Sequence, residues 1–118
     1  MNSKQKLRKE ADKLWAIKVL AGKKCLICPN KANQPHHFFY KSNYGHLRYE
    51  LDNGIPLCQR EHFILHHRDP KIIEDKIIAV KGRKWYNKLK AKALKKPQSS
   101  YQTIGYYKQI IEKLNDKR

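Results

Sequence analysis

Every cysteine and every histidine of this chain lies between Cys25 and His67. No other feature of the sequence limits the fold so strongly. Cys25-x-x-Cys28, His36-His37, Cys58, and His62, His66 and His67 set donors for a borderline metal ion at close intervals. A chain of 118 residues buries only a modest apolar core, so a metal staple is a natural supplement. Three cysteines cannot all pair. The C-x-x-C follows a helix-like segment rather than a strand of a βαβ unit, which points to metal and away from a thioredoxin-type redox site.

Cys25 and Cys28 have the spacing that lets one turn present two thiolates to one ion. Cys58 adds a third. The fourth donor is Glu61 or His62, since a carboxylate and an imidazole can both bind zinc and Cys-x3-His works on a helix. Three buried thiols without a metal are the bland alternative.

The coarse pattern is α+β. A helix is predicted over 3–21, with Ser3 as N-cap, an apolar stripe at Leu7, Ala11, Leu14 and Trp15, and Gly22 as its stop. Residues 36–41 ("HHFFYK") and 47–51 ("LRYEL") read as two short strands, and "DNG" as a tight turn. Residues 55–67 read as a helix with Pro56 in its first turn. A further helix begins at Asp69-Pro70 and runs to Gly82. A strongly basic helix covers 83–96, "PQSS" breaks it, and 101–114 form a last amphipathic helix. The expected organisation is an N-terminal helix (1–22), a metal-rich hairpin-and-helix core (23–69) and a basic helical region (70–118), together one compact domain.

Neighbouring strand residues point to opposite faces, so His36 and His37 should do different jobs. His62 and His66 stand at i, i+4 and share a helix face. One strand histidine with these two could hold a divalent cation. The other, free of metal, could take a proton from water near neutral pH. The cation would stabilise charge on a scissile phosphate. That constellation fits a one-metal phosphodiester hydrolase.

Charge points the same way. Lys plus Arg number 27 against 10 acids, a formal net charge of +17. Such an excess repels itself and calls for a polyanion, nucleic acid before an anionic membrane surface. No stretch is apolar for long enough to span a bilayer, and no secretory h-region is visible. Lys81, Arg83, Lys84, Lys88, Lys90, Lys92, Lys95 and Lys96 crowd one segment around Trp85 and Tyr86. Arg83, Lys84 and Lys88 are candidate nucleic-acid contacts, as is Arg48 if it lies on the second strand. Trp85 reads as core rather than as a stacking platform.

"CLIC", "HH" at 36–37, "LRYELDNGIPLC" and "EHFILHH", in this order, resemble the HNH endonuclease family, in particular its small phage-type members, which include NinG/Rap-like nucleases. The resemblance covers residues 25–67 and not the flanks. It implies a ββα-metal core with flanking helices and a metal-dependent DNA endonuclease. It implies that His37 is the general base, that Asn53 fixes the loop and orients that base, and that His62 helps bind the catalytic cation. His36 is implied as a further ligand, and His66, with His67 as substitute, as the extra helix histidine. Many members carry a structural zinc on two C-x-x-C pairs; here the second pair reads Cys58-x-x-Glu61. Taken alone, Asn53 would be an ordinary turn residue before a glycine. The expected cofactors are a catalytic Mg²⁺, Mn²⁺, Ni²⁺ or Zn²⁺ and a structural Zn²⁺. The expected partner is duplex or branched DNA, with a homodimer attractive for junctions, in the cytoplasm of a bacterium or a phage-infected host. The competing reading is a non-catalytic, zinc-stabilised DNA-binding module, which needs the cysteines and basic helices and is indifferent to His37 and Asn53.

Overall fold

The computed structural model describes residues 2–98 and 100–116. Helix α1 spans Ser3–Leu20 and α2 Gln59–His67. The helices α3 (Pro70–Lys81), α4 (Arg83–Leu94) and α5 (Ile104–Asn115) follow. Strands β1 (Gln34–His37) and β2 (Gly54–Leu57) form a two-stranded antiparallel sheet just before α2. The fold class is thus the expected α+β, with helices flanking a small ββα core.

The strands are not where alternation suggested. The first begins at Gln34 and ends at His37, so Phe38 and Phe39 turn out of it. "LRYEL" is no strand; residues 45–47 and 51–53 are two 3-10 turns. The second strand is "GIPL", whose Gly54 reads as the end of the "DNG" turn and whose Ile55–Leu57 read as a helix start. Four consecutive buried residues with Ile55 and Leu57 at 0% exposure explain the misreading, since a fully buried run carries no alternation. Pro56 is therefore a strand residue. It faces Pro35 in register, and two prolines can only meet at a pair that exchanges no amide hydrogen bonds.

Helix α2 begins four residues later than expected. Cys58 is its N-cap, with Sγ accepting from the Glu61 amide at 3.5 Å. In α1 the cap is Asn2, not Ser3: Asn2 and Gln5 exchange side chain-to-amide bonds in a capping box. Gly22 follows with φ +62°, the left-handed stop expected of it. Asp69 and Pro70 open α3 as predicted, with Asp69 Oδ1 accepting from the Ile72 amide at 3.2 Å. The break at 95–103 stands between α4 and α5, although Ser99 of "PQSS" lies outside the described residues.

Two apolar cores result. One joins the sheet to α2, α3 and α4 through Ile55, Leu57, Leu65, Ile73, Ile77 and Leu89. The other sets α1 against α5 through Ala11, Trp15, Val19, Tyr49, Tyr107 and Leu114. Gly54 is the seam. A Cβ there would collide with Val19 Cγ2 and lie 3.0 Å from Trp15 Cζ2. Its missing side chain is what lets α1 lie against the end of the sheet, directly beside His37, its partner in register.

Candidate functional site

Helix α2 and the β pair assemble two separate donor clusters. At the helix N-terminus Cys58 meets Cys25 and Cys28, with all three sulfurs within 4.8 Å of one another. The Cys28 and Cys58 sulfurs are 3.5 Å apart, near the ~3.8 Å of thiolates sharing a tetrahedral zinc and far beyond a disulfide. The 23–33 loop is pinned for this purpose. Cys25 N–H donates to Asn30 O at 2.8 Å, Leu26 N–H to Pro56 O at 2.8 Å, and Asn33 N–H to Leu57 O at 3.0 Å. Three clustered free thiols form a group able to hold a metal and compatible with structural zinc.

One and two turns along α2, His62 and His66 face His36, with ring nitrogens within 4.8 Å of one another. The ring centroids stand 4.3 Å (His62–His66), 5.7 Å (His36–His66) and 5.9 Å (His36–His62) apart. Ligands on one tetrahedral zinc have nitrogens about 3.4 Å apart, so small ring rotations bring the trio to one ion. His36 is 4% exposed and its Nε2 has no hydrogen-bond partner. A buried imidazole nitrogen left without a partner is costly unless something binds it. Burial, with His62 and His66 beside it, pushes the His36 pKa from 6.5 down to about 3. Burial likewise lowers that of His62, helped by His66 and His67. These rings stay neutral, the form that ligates metal.

The sequence left open whether Glu61 or His62 completes the cysteine group. His62 belongs with the histidines. Glu61 is not within 4.8 Å of all three sulfurs, yet it is buried beside Cys58. Arg60 donates to its Oε1 at 3.2 Å, and its Oε2 is buried without a partner. His67 stays outside the histidine trio and packs on Phe63, with centroids 4.6 Å apart. His46, on the 3-10 turn, donates to Lys92 O at 3.0 Å.

His37 goes the other way from His36, as strand neighbours must. Its ring stacks on Trp15 at 3.9 Å and 7°. Its Nε2 lies 2.9 Å from Arg48 O. A carbonyl only accepts, so Nε2 carries the proton and the free lone pair of the neutral ring is on Nδ1. Burial lowers the His37 pKa, opposed by that carbonyl bond. His36, His37, His62 and His66 all line one shallow cleft of about 300 Å³, with Tyr40, Lys41 and Ser42. Larger clefts exist, including one of about 430 Å³ between Tyr49 and α5, but neither donor cluster opens into that one.

The Asn53 side chain makes no hydrogen bond to His37. Fully buried, it accepts from Phe39 N–H at 2.8 Å and donates to Phe39 O at 3.0 Å and to Leu47 O at 3.4 Å. It staples the 38–53 loop shut. The ring of His37 is held instead by a backbone carbonyl, which no side-chain motif can announce.

Arg48 is not on a strand; it lies between the two 3-10 turns. Its guanidinium makes a bidentate pair with Asp12 of α1 at 2.8 and 2.7 Å. Arg83, Lys84 and Lys88 project from α4 into solvent. Arg83 lies 5.2 Å over the Tyr86 ring and Lys96 4.9 Å over Tyr44. Trp85 packs inward as expected, edge-on to Phe38 at 5.1 Å and donating to Asp52 O at 3.0 Å. Trp15, Asp12 and Gly54 adjoin the site without being legible as site residues in the sequence. The only sequence signal they gave was an apolar helix stripe and a turn glycine. No helix among the described residues is long and apolar enough to cross a membrane.

No family model matches the chain, and no curated protein and no solved structure matches it.

Proposed function

We propose that this chain is a metal-dependent endonuclease of the HNH type that hydrolyses DNA phosphodiester bonds. One observation carries the reading: three histidine nitrogens within 4.8 Å, one of them buried and unpartnered, open into the same cleft as a fourth histidine that is tied by a different bond. His36, His62 and His66 would hold a divalent cation. Bound there, the cation supplies Lewis-acid stabilisation of charge on the phosphate. An all-imidazole donor set suits Ni²⁺ or Zn²⁺ better than Mg²⁺, which prefers oxygen.

The remaining steps fall to the chain. His37 takes the proton of the attacking water on Nδ1, because Nε2 is committed to Arg48 O. Its lowered pKa keeps it unprotonated at neutral pH, the form a base requires. Lys41, at the cleft edge, and the exposed basic face of α4 attract the phosphate backbone. Asn53 holds the loop that carries the Arg48 carbonyl. Cys25, Cys28 and Cys58 would carry a structural zinc. The orphaned Glu61 Oε2 supports Glu61 as its fourth donor after a modest side-chain shift.

The test is cleavage of duplex, single-stranded and branched DNA by wild type and His37→Ala with Mg²⁺, Mn²⁺, Ni²⁺ and Zn²⁺. Wild type nicks or cuts at least one form, and the folded, metal-loaded variant does not. A folded, metal-loaded wild type that cuts no DNA form contradicts the proposal.

A further inference from the structure

The segment that resembles a known nuclease core ends where α1 begins to matter. His37 is gripped on two sides, and both grips trace to α1. Trp15 lies flat on its ring at 3.9 Å and 7°. Trp15 is itself fixed, 3% exposed, with its Nε1–H donated to Glu50 O at 3.0 Å. Asp12, three residues earlier and so on the same face of α1, holds Arg48 by two charge-assisted bonds at 2.8 and 2.7 Å. The carbonyl of that same Arg48 receives the Nε2–H of His37 at 2.9 Å. The turn carrying the carbonyl is thus clamped to α1 twice, at Arg48 by Asp12 and at Glu50 by Trp15. Gly54 makes the approach possible, since any side chain there would displace Trp15 and Val19.

We infer that α1 is part of the catalytic apparatus, with Trp15 and Asp12 as positioning residues for His37: one stacks on its ring, the other anchors the turn that fixes its tautomer. The inference rests on the reading of His37 as general base. A stacked ring can slide but not tilt, and a single carbonyl acceptor fixes which nitrogen carries the proton. Together they aim the Nδ1 lone pair. Small misplacements of a reacting group cost up to about 100-fold in rate, so two side chains that never touch substrate can still govern turnover.

The test uses the full chain with zinc on its cysteines and compares wild type with Trp15→Leu, Trp15→Phe and Asp12→Asn. Ring ¹H–¹⁵N correlation spectra report the His37 tautomer, and steady-state kinetics separate kcat from KM. In wild type His37 is a single Nε2–H tautomer. Asp12→Asn mixes the tautomers and lowers kcat by about 10-fold, with KM within about twofold. Trp15→Leu lowers kcat by about 10–100-fold, and Trp15→Phe, which keeps a stacking ring, recovers to within about threefold of wild type. Because Trp15 is a core residue, Trp15→Leu can fail to fold. The near-isosteric Asp12→Asn at a half-exposed site then decides. An unchanged tautomer and unchanged kcat in Asp12→Asn, or Trp15→Phe no better than a folded Trp15→Leu, overturns the inference. If wild type cuts no DNA, the nuclease reading fails by itself. The tautomer spectra still report whether Trp15 and Asp12 hold the ring.

Discussion

Helix α2 feeds two trios of metal donors that differ in access. At its N-cap, Cys58 joins Cys25 and Cys28 under a loop pinned by backbone bonds, with Cys25 and Cys58 buried. Further along, His62 and His66 join His36, and exposure rises from buried His36 through half-buried His62 to exposed His66. The first arrangement is the more enclosed, with only Cys28 half-buried and a buried carboxylate, Glu61, next to it. The second leaves one side facing a cleft that also holds His37. Structural metal sites are closed and catalytic ones keep an open position. On the proposed reading one helix would supply both kinds, and the two trios differ in what covers the donors rather than in their number.

The largest expected effect breaks the closed trio. Cys58→Ser removes one thiolate and the cap sulfur together, and should cost upwards of about 5 kcal/mol, part of the ~10–16 kcal/mol of a structural zinc. Thermal melts with zinc analysis check it. A cooperative melt within a few degrees of wild type would mean that the cysteines hold nothing the fold needs. Breaking the open side should spare the fold and remove the chemistry. His37→Ala is expected to lower the cleavage rate by about 10²–10⁴-fold while costing only ~1–2 kcal/mol of stability, read by single-turnover cleavage and urea melts.

Asn53 sharpens the comparison because it serves neither trio. Asn53→Ala leaves the Phe39 N–H and Phe39 O unsatisfied, while Leu47 O keeps its bond from the Glu50 N–H, and should cost about 2–3 kcal/mol, with zinc content unchanged. Loss of less than ~0.5 kcal/mol would contradict its stapling role.

The remaining effect is in pH. The pKa of His36 is about 3 folded against 6.5 ordinarily, and those of His37 and His62 are also lowered. Such groups bind more protons unfolded, so their contribution to stability is full above about pH 6.5 and is lost as pH falls toward 3. With no ion on the histidines, each contributes at most about 1.4 kcal/mol per pH unit over its own window. Urea midpoints should be flat above pH 6.5 and fall below it, and His36→Gln should shallow the fall. A midpoint constant down to pH 5 would contradict a buried neutral His36.

Much of this was legible in the sequence. Side chains with distinctive chemistry announced themselves: the C-x-x-C, the pair at 36–37 and the i, i+4 histidines met as their spacing implied. So did α3, where Asp69, Pro70 and Gly82 mark both ends. The strands were misplaced because Gly54–Leu57 is buried throughout and gives no period-two signal. "LRYEL" alternates, yet folds as turns, with two of its own carbonyls, Leu47 O and Glu50 O, claimed by Asn53 and the Trp15 indole. The grip on His37 was illegible for a different reason. It combines a backbone carbonyl with an ion pair between residues 36 positions apart, and nothing local encodes either.

Cobalt(II) titration of the metal-free chain, followed by absorption spectroscopy, tests the central claim most directly. The account predicts two ions per chain: one with sulfur-to-cobalt charge-transfer bands, and a second without them that His62→Ala alone abolishes. A single ion, or loss of the sulfur bands in His62→Ala, would contradict it.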